Sequence, residues 1–239
     1  MPAERPHSPK FEALYAHALE TDMAALRGLT PEETFAVLLG ALSALSLSEA
    51  RLTQELRVLL DQGCPVSLAE DTLIQMAVYI GCPPARQALG CLALAAQGKG
   101  MAEPPASLPT SEERYGEGVS VYAQLNPDAL SNIKGAFGDL AGDVIDLTFR
   151  GFGDLYAQSS QPLPLRQLAT VSCLAVLGCA APQLRIHIGA ALNVGVTQEQ
   201  LVTTIAWVQF LKGAPAAYNA LTELKAALSA GSGATPGYE

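Results

Sequence analysis

Gly213-Ala214-Pro215-Ala216-Ala217-Tyr218-Asn219-Ala220-Leu221 has an earlier counterpart, Gly81-Cys82-Pro83-Pro84-Ala85-Arg86-Gln87-Ala88-Leu89, 132 positions back in the chain. Both read Gly-x-Pro-x-Ala-x-x-Ala-Leu: a glycine that ends one helix, then a proline in the first turn of the next. The same spacing superposes Asp61-x-Gly63 on Asn193-x-Gly195, Leu52 on Leu184, Leu60 on Leu192, and Leu42 and Leu45 on Leu174 and Leu177. An internal duplication of a helical unit is expected. The register is imperfect at one place, where the helix starts read at Ser67 and Thr197 lie 130 apart.

Helix punctuation extends this reading along the chain. Thr30-Pro31-Glu32-Glu33 offers an N-cap, a first-turn proline and a capping-box Glu; Ser67 with Glu70, Thr110 with Glu113 and Thr197 with Gln200 repeat the box. Gly28, Gly63, Gly81, Gly195 and Gly213 fall where helices should stop. No segment alternates long enough for a strand, so the fold is expected to be all-α. The pattern predicts helices over 11–27, 31–47, 49–62, 68–80 and 84–97, then 111–124, 139–158, 164–179, 183–194, 198–212 and 215–229. The Gly, Pro and Ser of 99–111 read as a linker between an N-terminal repeat, 1–98, and a C-terminal unit, 112–230, with 231–239 as a disordered tail.

Composition narrows the function classes. Of 239 residues 49% are hydrophobic and only 15% charged, which excludes intrinsic disorder. A net charge of −9 with no Lys or Arg run argues against a nucleic-acid partner. The longest uncharged stretch, Gln167 to Leu184, has a solidly apolar part of about 14 residues, a buried helix and not a membrane span. Met1 to Pro6 lacks the basic start and apolar run of a signal peptide, so a cytoplasmic location is expected. The five cysteines contain no Cys-x-x-Cys and are read as small buried apolar residues, with Cys173 and Cys179 facing different ways on one helix.

Among polar side chains of the second half, Asp154, Arg166, Gln183, Arg185, His187, Asn193, Trp207 and Lys212 stand out. His187 lies on or beside a helical stripe of Leu184, Ile188, Ala191 and Gly195. An imidazole facing a core can be a general acid or base near neutral pH, or a buried, hydrogen-bonded structural group. Gln183, four residues earlier, shares its face and could orient the ring. Arg185 lies roughly 200° round the helix from His187 and should point away, toward a carboxylate or solvent. His187 and Gln183 are therefore candidate catalytic residues, and Arg185, Arg166, Asp154 and Trp207 candidate substrate-binding residues. No metal-ligand pattern appears.

Leu165-Arg166-Gln167-Leu168-Ala169-Thr170-Val171-Ser172, then Leu184-Arg185-Ile186-His187 through Asn193-Val194-Gly195, then Gly213-Ala214-Pro215-Ala216-Ala217, resemble the core of the carboxymuconolactone decarboxylase family. Glu113-Arg114-Tyr115-x-x-Gly118 and Phe152-Gly153-Asp154-Leu155-Tyr156 resemble its N-terminal segment. The resemblance implies an alkylhydroperoxidase D-like helical fold assembled as trimers or hexamers. It further implies cofactor-free decarboxylation of a small carboxylated lactone or related anionic metabolite in aromatic catabolism, with His187 as acid/base and Arg185 as the arginine of the motif. Where the lyases carry Glu, this chain has Gln183, which cannot exchange a proton. The peroxidase branch's cysteine pair would fall at Ala180 and Gln183, its helper glutamate at Leu168; a peroxiredoxin-like antioxidant and a non-catalytic assembly protein are the alternatives. In the first half, Glu55 and Asp61 stand where the second has His187 and Asn193. That half is read as a packing copy, so that a homotrimer would mimic a hexamer and bury surface poor in charge between subunits.

Overall fold

The computed structural model describes residues 8–105 and 107–230, and the terminal segment read as a disordered tail lies outside them. Described residues form helices without strands: an all-α protein. A first set comprises α2 (Pro31–Ala44), α3 (Glu49–Asp61), α4 (Val66–Ile80) and α5 (Cys82–Ala95). A second comprises α8 (Leu163–Leu177), α9 (Ala181–Asn193), α10 (Gln198–Lys212) and α11 (Ala214–Ala230). Each helix of the second set starts 132 residues after its counterpart in the first. Before them comes α1 (Pro9–Ala18), continued by a π turn, Leu19–Met23; between them lie α6 (Ser111–Leu125) and α7 (Ala129–Gly151), continued by a π turn, Phe152–Tyr156.

The two sets share their core. Val37 and Ala41 of α2 pack with Leu168, Val171, Leu184 and Ile188 of the second set, while Leu165, Ala169 and Cys173 of α8 pack among the first. Helices α2 and α8 cross closely: a Cβ on Gly40 would collide with the backbone carbonyl of Ala169. At the reciprocal position Ser172 Oγ donates to Val37 O at 2.8 Å, satisfying a hydroxyl with no exposure. Residues 165–176 are buried on every side, so α8 is apolar all round, as a central helix must be. No helix among the described residues is long and apolar enough to cross a membrane.

Several sequence expectations are corrected. Helix α4 begins at Val66 with Pro65 at its N-cap and no side-chain cap, so Ser67 and Glu70 form no capping box. Glu70 Oε2 instead accepts from Ala102 N at 2.8 Å, tying the connection after α5 to α4; the start at Val66 lies 132 residues before that of α10, not 130 as read from Ser67 and Thr197. The boxes at Thr30, Thr110 and Thr197 form as read. The helix read over 164–179 stops at Leu177 because Gly178, at φ +72°, adopts the left-handed cap. The helix read over 139–158 begins ten residues earlier, bends at Ala141 (φ −147°, ψ 44°) and ends as a π turn; Gly135 and Gly138 had obscured its first turns. All five cysteines are free: Cys64, Cys91 and Cys173 are buried as expected, but Cys82 and Cys179 are exposed.

Candidate functional site

The polar residues of α8 sit inside the apolar core, so each needs a partner. Arg166 Nε donates to Gln75 Oε1 of α4 at 3.0 Å and its NH2 group to the carbonyl of Tyr156; its guanidinium lies 3.6 Å from the centre of the Tyr156 ring. Gln75 Nε2 returns hydrogen bonds to Arg166 O at 3.0 Å and Thr170 Oγ1 at 2.9 Å. Burial lowers the Arg166 pKa from its usual value, yet a guanidinium stays charged in proteins. This cation is thus sequestered by neutral groups and a ring face.

His187 stands one helical turn after Leu184 on α9 and is 5% exposed. Its Nδ1 lies 3.1 Å from Gln167 Oε1, and Gln167 Nε2 donates to Tyr156 Oη at 2.6 Å. With the amide so oriented, Nδ1 carries the proton and Nε2 the lone pair. The Tyr79 ring meets the imidazole edge-on, centroids 5.1 Å apart at 88°. Desolvation pushes the His187 pKa down to about 4, so the ring is neutral at pH 7. Burial raises the Tyr79 hydroxyl well above its normal range; Thr170 lies beside it, but that hydroxyl is engaged by Gln75 and Arg166 O, and Tyr79 Oη forms no well-aligned hydrogen bond.

Tyr79 also forms part of the wall of a cavity of about 570 Å³ between the two sets. Most of that wall comes from the first set, which sequence reasoning took as a packing copy: the α2 end around Ser43, the α4 end at Val78–Ile80, and Gln87 of α5. The second set supplies Leu174, Leu177, Cys179, Ala180 and Gln183. His187 lies behind Tyr79 and not on the wall.

The sequence-derived site therefore divides. Gln183 is exposed and lines the cavity, and the partner of the His187 ring is Gln167 instead. Arg185 points away from His187, as its angle predicted, and Nε bonds Glu223 Oε2 of α11 at 2.6 Å. Asp154 is held by both arms of Arg114, at 2.7 and 2.5 Å, fastening α6 to the π turn. Trp207 meets Phe210 edge-on, and Phe210 meets Tyr15, so its ring serves the packing of α1 on α10. Asn193 Nδ2 donates to Leu125 O at 3.2 Å. Sequence reasoning missed Gln167, Tyr79 and Gln75; the available signal was a second polar residue beside Arg166 within an otherwise apolar helix. No three His, Cys, Asp or Glu side chains come together as metal ligands among the described residues.

The profile of the carboxymuconolactone decarboxylase family matches residues 146–226, from the end of α7 through most of α11. This segment, about a third of the chain, contains Arg166, Gln167 and His187 and is similar to that family. No curated protein matches the chain.

Proposed function

We propose that the protein is a cofactor-free acid/base enzyme in which His187 exchanges a proton with a small substrate lodged beside Tyr79. The observation that carries this reading is the buried His187–Gln167–Tyr156 chain, with the Tyr79 ring shared between imidazole and cavity wall. Gln167 fixes the ring and its tautomer; the lone pair at Nε2 is then the base, and movement of the Tyr79 ring is its route to substrate. A base whose pKa lies near 4 is unprotonated and available at neutral pH, though weak.

Although the uncharged cavity wall better suits an uncarboxylated, enolisable lactone, the family match suggests a second form of this chemistry, decarboxylation of a carboxylated lactone. It asks for a carboxylate-binding cation, and within one chain Arg185 could serve only by exchanging Glu223 for substrate. A neighbouring subunit could alter that balance. The apolar face of α7, with Leu140 85%, Val144 62% and Leu147 63% exposed, supports assembly of the chain as a homo-oligomer, and a trimer is the reading retained.

The peroxidase reading is weaker. Cys179 borders the cavity, but no second thiol pairs with it, and burial pushes the thiols of Cys64 and Cys173 up to about 12.

Turnover of carboxymuconolactone and of an uncarboxylated, enolisable lactone, followed by ultraviolet absorbance, tests the proposal. His187→Gln is expected to lower the rate at least 100-fold and Cys179→Ser to leave it unchanged; an undiminished rate in His187→Gln would overturn it. With His187 as base, kcat/KM should rise through pH 4 and stay level to neutrality.

A further inference from the structure

We propose that the cavity between the two helix sets takes an uncharged, largely apolar small molecule and discriminates against carboxylates. Every side chain on its wall is uncharged, in a protein that carries 37 Lys, Arg, Asp and Glu residues, 14 basic and 23 acidic. The two arginines that sequence reasoning would send there are engaged elsewhere, Arg166 by Gln75 and Tyr156 and Arg185 by Glu223. A buried or half-buried carboxylate without a cation or several N–H donors costs several kcal/mol of desolvation, about what a small ligand gains by binding at all.

The backbone around the cavity is a poor substitute for a cation. Helices α2, α4 and α8 end at its wall, at Ala44, Ile80 and Leu177, and present carbonyl ends with partial negative charge. Helices α5 and α9 begin beside it, where free N–H groups would ordinarily favour an anion. Both starts carry proline in the first turn, Pro83 and Pro84 in α5 and Pro182 in α9, which removes three of those donors, while Cys82, Ala181 and Gln183 keep theirs. The wall thus offers an anion no charged side chain, and its helix starts, thinned of N–H donors, face the carbonyl ends of three other helices.

What remains suits a neutral ligand. A volume of about 570 Å³ lies in the range of small-molecule sites, and aliphatic side chains with the Tyr79 ring make up most of the wall. At the rim Ser46, Gln87 and Gln183 make no hydrogen bond among the described residues. They can donate to a carbonyl or accept from a hydroxyl or amide, so the ligand has an apolar body and one or two neutral polar groups: a lactone, an amide or an alcohol. The reactive part of the proposed function enters only through Tyr79, and the ligand class stands on the wall itself.

Calorimetric titration of the full chain at pH 7 with 2-naphthamide and its isostere 2-naphthoate tests this. The amide is expected to bind at least tenfold more tightly than the carboxylate. Ser46→Trp, an exposed rim substitution that fills the mouth, should weaken the amide at least tenfold, and Ser46→Lys should shift the preference toward naphthoate, both with an unchanged Tm. Equal or tighter binding of naphthoate to the unaltered protein, absence of amide binding, or an amide affinity indifferent to Ser46→Trp would overturn the proposal. Binding is read without turnover, so failure of the ligand class and failure of His187 as a base are separate outcomes.

Discussion

The cleft of the first helix set and its counterpart in the second occupy corresponding positions 132 residues apart, and only the first is open. Ser43, Ser46, Leu52, Pro84, Gln87 and Ala88 border the cavity of about 570 Å³. Their counterparts Ala175, Gly178, Leu184, Ala216, Asn219 and Ala220 surround about 20 Å³. Two replacements distinguish the second set there. Arg185 and Glu223 clamp α9 to α11 at 2.6 Å, where the first set has Thr53 and Cys91, which cannot form an ion pair. Phe210 stands where the first set has Val78, and its ring packs against Trp207 and Tyr15. The chemistry is shared out in the opposite sense: His187 of the second set faces Tyr79 of the first, whereas its counterpart Glu55 pairs with Arg51 on its own helix at 2.5 Å. One set holds the space and the other the titratable group, so the candidate site needs both.

That division is open to test, most severely at the crossing that joins the sets. Gly40→Ala places a methyl against the Ala169 backbone, which cannot move without displacing α8, and is expected to destabilise by about 3 kcal/mol in urea unfolding. Ala substitution at exposed Gly90, where a Cβ meets nothing within 4 Å, should be harmless by the same measurement.

Of similar size is the pH dependence of stability from His187. Its folded pKa of about 4 lies below the unfolded value of 6.5, so the unfolded chain takes up a proton first as pH falls. The contribution is fully present above pH 6.5, is lost as pH falls toward 4, and amounts to about 3 kcal/mol. Unfolding curves of the intact protein and His187→Gln should differ in slope over that window; parallel curves would mean that the ring is not buried neutral.

Smallest is the clamp of the closed cleft. Arg185 is 41% exposed, so Arg185→Ala should cost about 0.5 kcal/mol, less at high salt. If the clamp helps keep the second cleft shut, hydrogen exchange should quicken in α11 and not in α5.

Legibility followed distance along the chain. Caps and stops lie within a turn of the residues they serve, and Thr30, Thr110 and Thr197 were readable because a Thr and a Glu or Gln three residues on satisfy the same backbone groups. Ser67 and Glu70 have that spacing too, but the carboxylate found Ala102 N, 32 residues away, and the pattern failed. The direction of Arg185 followed from helix geometry; its partner Glu223, 38 residues on, did not. Gln167 meets His187 across 20 residues only because α8 and α9 pack face to face, and Tyr79 reaches the same ring from the other set.

The sequence by itself determined an all-α chain, the 132-residue spacing of its helix sets, and the buried placement of α8 and His187. These follow from local periodicity and backbone punctuation, which act within a few residues. Only the tertiary structure decided that Gln167 and not Gln183 holds the imidazole, that both candidate arginines are already occupied, and that one of two corresponding clefts stays open. Each depends on which side chains meet across helices, where packing and the pairing of buried charge select among contacts that a sequence pattern leaves equivalent.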